Sequence, residues 1–143
     1  MEKRLIPGKD YIGVGVGALI VRADQTLLLL RKKAPEAGCW TIAGGKVEFG
    51  ETAEAAILRE LKEELGTEAR IIAHLGVTDH IVPEENIHYI ALRFLAELDG
   101  EPQNMELNSH EDMRWFDLNE LPANITMTTE KAVEAYGSWK KTH

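Results

Sequence analysis

Three carboxylates, Glu60, Glu63 and Glu64, share one side of a short segment that has every mark of an amphipathic helix, and this conflict constrains the chain more than any other stretch. Residues 44–67 read GGKVEFGETAEAAILRELKEELGT. Thr52 stands where an N-cap belongs, Ile57, Leu58, Leu61 and Leu65 recur at helical spacing, and Gly66 follows where a helix should stop. A helix over residues 53–65 is therefore predicted, preceded by a glycine-rich turn at Gly44 and Gly45. Positions i, i+3 and i+4 fall within an arc of about 100°, so the three acids leave the helix together. Like charges at this spacing cost roughly 0.2–0.5 kcal/mol per pair, so the face calls for bulk water or a bound cation. An all-oxygen ligand set suits a hard cation, Mg²⁺ or Mn²⁺, which typically joins carboxylates to substrate phosphates.

The remaining sequence limits what such a site can serve. With 143 residues, 44% of them hydrophobic, the chain suits one domain over residues 1–143. A formal net charge of −8 argues against a nucleic-acid polymer as partner, which needs a basic footprint, and leaves room for a local basic pocket for one nucleotide. Cys39 is the only cysteine, so no intramolecular disulfide forms. The start MEKRLIPGKD lacks the apolar run of a signal peptide, and no stretch approaches the roughly 20 apolar residues of a membrane span, so a cytoplasmic protein without a membrane partner is expected.

Along the chain, residues 11–22 form a β-branched, apolar central strand with Val14, Val16, Ala18 and Ile20 alternating. Gly13, Gly15 and Gly17 interleave with strand residues and do not open a helix, which excludes a dinucleotide-binding loop. A turn over residues 23–26 leads into LLLLRKK, a second strand of a hairpin, ending in the basic cluster Arg31, Lys32 and Lys33. Residues 68–78 and 86–98 read as strands joined by a polar loop at Pro83, residues 111–117 as a last strand, and residues 128–139 as a C-terminal helix. The order implies an α+β fold with helices against a mixed sheet. Trp40, Trp115, Tyr89 and Phe116 are assigned to packing. The five histidines, His74, His80, His88, His110 and His143, show no pair at zinc-site spacing.

Gly45, five residues, Glu51, seven residues, Arg59-Glu60-Leu61, one residue, Glu63-Glu64, one residue, Gly66: this pattern resembles the Nudix box of the MutT-type hydrolases. It departs from the box at Thr67, where an aliphatic residue is expected, and at Ala43-Gly44-Gly45, where Pro-Gly-Gly is common. The likeness extends through VGVGALIV, the LRKK strand end, NIHYIALRF and residues 101–122, which look like the MutT-homologue nucleoside triphosphate diphosphatases. It implies a Nudix fold, a mixed sheet sandwiched between helices, Mg²⁺ or in substitution Mn²⁺ as cofactor, a small nucleotide as substrate, and often a homodimer.

By position, the resemblance makes Glu60 and Glu64 the main metal ligands, Glu63 a third, and the Gly44 carbonyl a backbone ligand. Glu51 and Arg59 brace the loop against the helix, with Gly45 and Gly66 as structural positions of the box; an i, i+4 pair of Arg59 with Glu63 competes for the same guanidinium. Glu106 is a further carboxylate, ligand or base, on a loop, with Glu111 as the substitute. Arg31 and Lys46 are the substrate-binding cations. The implied reaction is hydrolysis of a nucleoside triphosphate, dGTP-like or a modified nucleotide, to monophosphate and pyrophosphate, with Glu60, Glu63 or Glu106 taking the proton. Residues after Pro122, ANITMTTEKAVEAYG, do not match the base pocket of nucleotide-specific relatives. Two other readings stand beside this one: an ADP-ribose or other nucleoside diphosphate sugar pyrophosphatase, suggested by Pro83 sixteen residues past the box, and a non-catalytic nucleotide-binding Nudix domain.

Overall fold

The computed structural model describes residues 3–143. The β-branched run becomes the central strand, β1 (Gly13–Arg22), and its hairpin partner is β2 (Gln25–Arg31). The turn between them is tighter than residues 23–26, because Arg22 already faces Gln25. Its two residues, Ala23 and Asp24, have φ of 50° and 63°. Such left-handed pairs match the twist of the flanking strands, but they favour Asn-Gly, and neither residue here is one of those. Ala23→Asn with Asp24→Gly is expected to stabilise the protein by about 1 kcal/mol. The check is a higher urea midpoint at unchanged slope, and an unmoved midpoint would count against strain in this turn.

Two short strands follow, β3 (Trp40–Thr41) and β4 (Ala43–Lys46). The glycine pair expected to form a turn thus lies in a strand. β4 runs antiparallel along β1, with Gly45 opposite Val16 and Gly44 opposite Gly17. Backbone pairing needs no side chain, which is why a glycine run can join a sheet without announcing itself by composition. A Cβ on Gly44 would run into the Val16 carbonyl oxygen, so this close approach depends on glycine.

After the first helix, α1 (Ala53–Leu65), come β5 (Ala69–Val82), β6 (Ile87–Leu98), β7 (His110–Asp117) and the second helix, α2 (Met127–Lys140). β5 extends to Val82 instead of ending at Thr78, and the Pro83 loop is a single 3₁₀ turn, Pro83–Glu85. β1 and β6 are parallel while β2 and β4 are antiparallel to β1, so the sheet is mixed, ordered β3-β2-β1-β6-β5 with β7 also on β2.

The helices cover opposite faces. α1 packs Ala56, Ile57, Leu61 and Leu65 onto Val16, Ala18, Ile20, Leu29 and Phe94. α2 packs Ala132, Val133, Tyr136 and Trp139 near Leu19, Leu28, Trp40, Leu75 and Leu95. Alternate residues of β1 therefore feed two cores, giving the helix–sheet–helix sandwich that the sequence implies. Full burial of a Leu or Ile is worth roughly 1.5–3 kcal/mol, so Ile57, Leu61 and Leu65, all fully buried, fix the roll of α1. Trp40 meets Phe116 edge to face at 4.8 Å. Among the described residues, no helix is long and apolar enough to cross a membrane.

Candidate metal and phosphate site

The ends of α1 are set locally. Thr52 Oγ1 accepts a hydrogen bond from Ala55 N at 3.0 Å, and Gly66, at φ 72°, donates its N–H to the Lys62 carbonyl at 2.9 Å. With the apolar stripe turned inward, Glu60 and Glu64 lie at the edge of the buried face, against β4. Glu64 is 4% exposed, and its Oε1 accepts from Gly44 N–H at 3.2 Å. A Cβ on Gly45 would overlap the Glu60 carboxylate. The glycine pair thus lets the strand backbone approach both acids.

Arg59 resolves the competition left open by spacing, because its guanidinium serves every partner at once. Nε and Nη2 donate to the two Glu51 oxygens at 3.1 and 2.7 Å. Nη2 also reaches the Lys46 carbonyl at 2.9 Å, and Nη1 donates to Glu60 at 2.9 Å and Glu63 at 3.2 Å. Helix, strand end and intervening loop are tied through one cation. The Arg59 bond, then the Glu48 N–H, holds the Glu51 carboxyl below its usual range, and Glu51 in return strengthens the hold of Arg59 on its proton.

The other carboxylates shift the opposite way. Burial first pushes the Glu64 carboxyl well above its ordinary range, helped by the charges of Glu60 and Glu106 and opposed by the Gly44 N–H. Burial also raises Glu60, against the lowering effect of Arg59. A buried carboxylate facing two others is the arrangement that a cation relieves.

Glu106 reaches this site by backbone docking. Gln103 N donates to the Leu65 carbonyl at 2.9 Å and Met105 N to the Glu64 carbonyl at 3.0 Å, so the loop satisfies carbonyls that the end of α1 would otherwise leave open. Glu64, Glu106 and His110 then offer ligand atoms that all lie within 4.8 Å of one another. Glu60, expected as a main ligand, and Glu63 both stay outside that group, each bonded to Arg59 and Glu63 half-exposed, and Glu111 does not belong to it either.

His110 lies outside the box and has no second histidine at zinc-site spacing, so the motif does not point to it. The available signal was Glu106-x-x-x-His110, where Glu106 O accepts from His110 N at 2.9 Å, so a single turn gathers the two. Burial first, then the nearby Arg31 charge, lowers the affinity of the His110 ring for a second proton.

Beside these acids opens a cleft of about 420 Å³ whose lining includes Gly44, Gly45, Glu64 and His110. Lys9, Arg31, Lys46 and Arg93 line it too, and among the described residues none of the four has a carboxylate within 4.0 Å. Arg31 spends two donors on the Pro35 and Ala34 carbonyls, at 2.7 and 3.4 Å, and Arg93 spends two on the Leu75 carbonyl. Arg31 and Lys46, the expected substrate-binding cations, both line the cleft, joined by Lys9 and Arg93 from segments that carry no motif. Tyr89, assigned to packing, also faces the cleft while its hydroxyl donates to the Pro7 carbonyl at 2.8 Å. At the start of α2, Thr126 and Thr128 complete the wall, so the segment after Pro122 does border the site.

Comparison with known proteins identifies the family. The family model of the NUDIX domain matches residues 12–136. The chain is 35% identical over 150 residues to the ADP-ribose pyrophosphatase of Methanocaldococcus jannaschii, covering 97% of this chain and 86% of that protein. It is 31% identical to the NAD-capped RNA hydrolase NudC of Vibrio atlanticus over 71% of this chain, but spans only 36% of that longer protein. The crystal structure of a MutT NUDIX hydrolase from Burkholderia pseudomallei superposes with a TM-score of 0.84 at 44% identity, covering 87% of this chain and 97% of that one. The box residues, the sandwich and these matches converge, and the chain belongs to the Nudix family of hydrolases.

Proposed function

We propose that the chain hydrolyses a nucleoside triphosphate to nucleoside monophosphate and pyrophosphate, with Mg²⁺ or Mn²⁺ held at the acidic edge of α1. One observation carries the reading: a buried carboxylate facing two others adjoins a cleft lined by four cations that have no carboxylate within 4.0 Å among the described residues. In a chain of net charge −8, cations gathered in this way suit a polyphosphate tail.

The residues fit a hard divalent cation, since Glu64 and Glu106, with Glu60 beside them, supply oxygen donors and the Gly44 main chain borders the same space. Such a cation, when bound, neutralises charge on the phosphate oxygens and makes water easier to deprotonate. The residues do the rest. Arg31, Lys46, Lys9 and Arg93 hold the phosphates so that one phosphorus faces the acids, and cleavage adds water across the P–O–P bridge. Glu60 is the best-suited base: burial raises its proton affinity, and Arg59 fixes one of its oxygens. Glu106 is the alternative, while Glu63, whose side chain is half-exposed, sits less favourably.

The second reading, hydrolysis of ADP-ribose or a related nucleoside diphosphate sugar, draws support from the 35%-identical relative that carries that name. Incubation with Mg²⁺ and a panel of triphosphates, dinucleotides and ADP-ribose, with products identified by mass, separates the two. Monophosphate plus pyrophosphate is expected. Ribose phosphate plus AMP would favour the second reading, and no turnover of any member would overturn both in favour of a binding domain.

A further inference from the structure

We propose that His110 is a direct nitrogen ligand, alongside Glu64 and Glu106, of the divalent cation, giving a mixed nitrogen–oxygen set that prefers Mn²⁺ over Mg²⁺. The inference rests on the metal site of the preceding reading and adds the imidazole to it.

Four observations carry it. His110 is 7% exposed, and its Nδ1 is shut off from solvent without a hydrogen-bond partner. A buried polar atom left in that condition costs about 1–3 kcal/mol, so a native site ordinarily supplies it a partner. The ring belongs to the group whose ligand atoms lie within 4.8 Å of one another. First-row cations bind oxygen and nitrogen at about 2.0–2.2 Å, and three atoms no more than 4.8 Å apart lie within about 2.8 Å of a common centre, so an inward shift of under about 1 Å by each would bring them to ligand distance.

The backbone fixes the position of the ring as well. Ser109 N and His110 N both donate to the Glu106 carbonyl, and Asn104 Nδ2 donates to the His110 carbonyl at 3.0 Å. His110 opens β7 opposite Arg31, whose own donors hold the Pro35 loop. Imidazole and carboxylate therefore converge from one turn, with Glu64 facing them from α1. Imidazole is a poor ligand for Mg²⁺, which demands oxygen, and a better one along the series from Mn²⁺ onward.

The test is pulsed EPR of Mn²⁺ bound to the full chain without nucleotide, once with natural-abundance nitrogen and once with ¹⁵N-histidine. A directly bound histidine nitrogen whose coupling changes isotope with the label is expected, and it should vanish in His110→Gln. Mn²⁺ affinity of that variant should fall about tenfold or more, while Mg²⁺ affinity, measured by competition, changes less than about threefold. Bound Mn²⁺ without histidine coupling in the unmodified protein overturns the assignment even if the variant fails to fold. Equal weakening for both ions also overturns it. Hydrolysis separates the two readings: coupling present with no turnover of any nucleotide refutes the proposed function alone, and turnover without coupling refutes the imidazole ligand alone.

Discussion

Glu64→Gln should lower nucleotide turnover by roughly 10²–10³-fold or more and at the same time make the metal-free protein harder to melt at alkaline pH. Both effects come from one buried carboxylate. Its folded pKa lies above the ordinary 4.5, so the folded chain binds this proton more tightly than the unfolded chain. The associated stability is full below pH 4.5 or so and is lost as pH rises through the elevated folded value. Glutamine keeps the shape and the Gly44 contact without the charge, so it escapes that loss. In EDTA, the melting temperature of the variant should exceed that of the parent by a margin that grows from weakly acid to alkaline pH. Adding Mg²⁺ or Mn²⁺ should reverse the order, because a ligand that binds only the folded state raises its stability by RT ln(1 + [L]/Kd) and the variant has lost a ligand. Near-normal turnover, or a variant that melts lower in EDTA at pH 8, would remove Glu64 from the proposed site.

Replacing Arg59 by Met should be the most damaging change to the scaffold of the site. The substitution keeps the apolar stem and deletes the hydrogen bonds to Glu51, Glu60, Glu63 and the Lys46 carbonyl. Three carboxylates then face one another without the cation between them. A fall in melting temperature of roughly 5 °C is expected at neutral pH, with turnover reduced about tenfold as β4 and the helix edge part. Arg59→Lys should rescue little, since an ammonium cannot form the paired bonds to Glu51 while reaching across to Glu60. Here the pH dependence has the opposite sign. Glu51 is held low, so its contribution is present above about pH 4.5 and is lost as pH falls through the depressed value. The gap between parent and Arg59→Met should therefore narrow in acid, and a gap that widens there would show that Glu51 is not the main partner.

What the sequence discloses follows the kind of force involved. α1 is legible from Thr52, the apolar stripe and Gly66, because capping and periodicity are local. β1 and its hairpin are legible for the same reason, although the turn is tight in spite of its residues. β4 is hidden, because two glycines paired through the main chain carry no side-chain pattern. So is the parallel pairing of β1 with β6, which joins residues far apart in the chain. In the site, the box carboxylates and Arg59 were named from a contiguous motif. Lys9 and Arg93 lie outside any motif, since each comes from a different segment that only the folded sheet brings to the cleft, while His110 is joined to Glu106 by a single turn outside the box. Glu106 was placed by resemblance on a loop, and the bonds of Gln103 and Met105 to the end of α1 explain why that loop has a fixed position.

Those two bonds bear on how quickly the centre can be loaded. A carboxylate already held beside its partners would need only a small closure to take up an ion, so most of the ordering entropy is spent when the chain folds. The connection from β6 to β7 is thus tied through its main chain to the last turn of α1, and a residue inserted there would be felt at that turn.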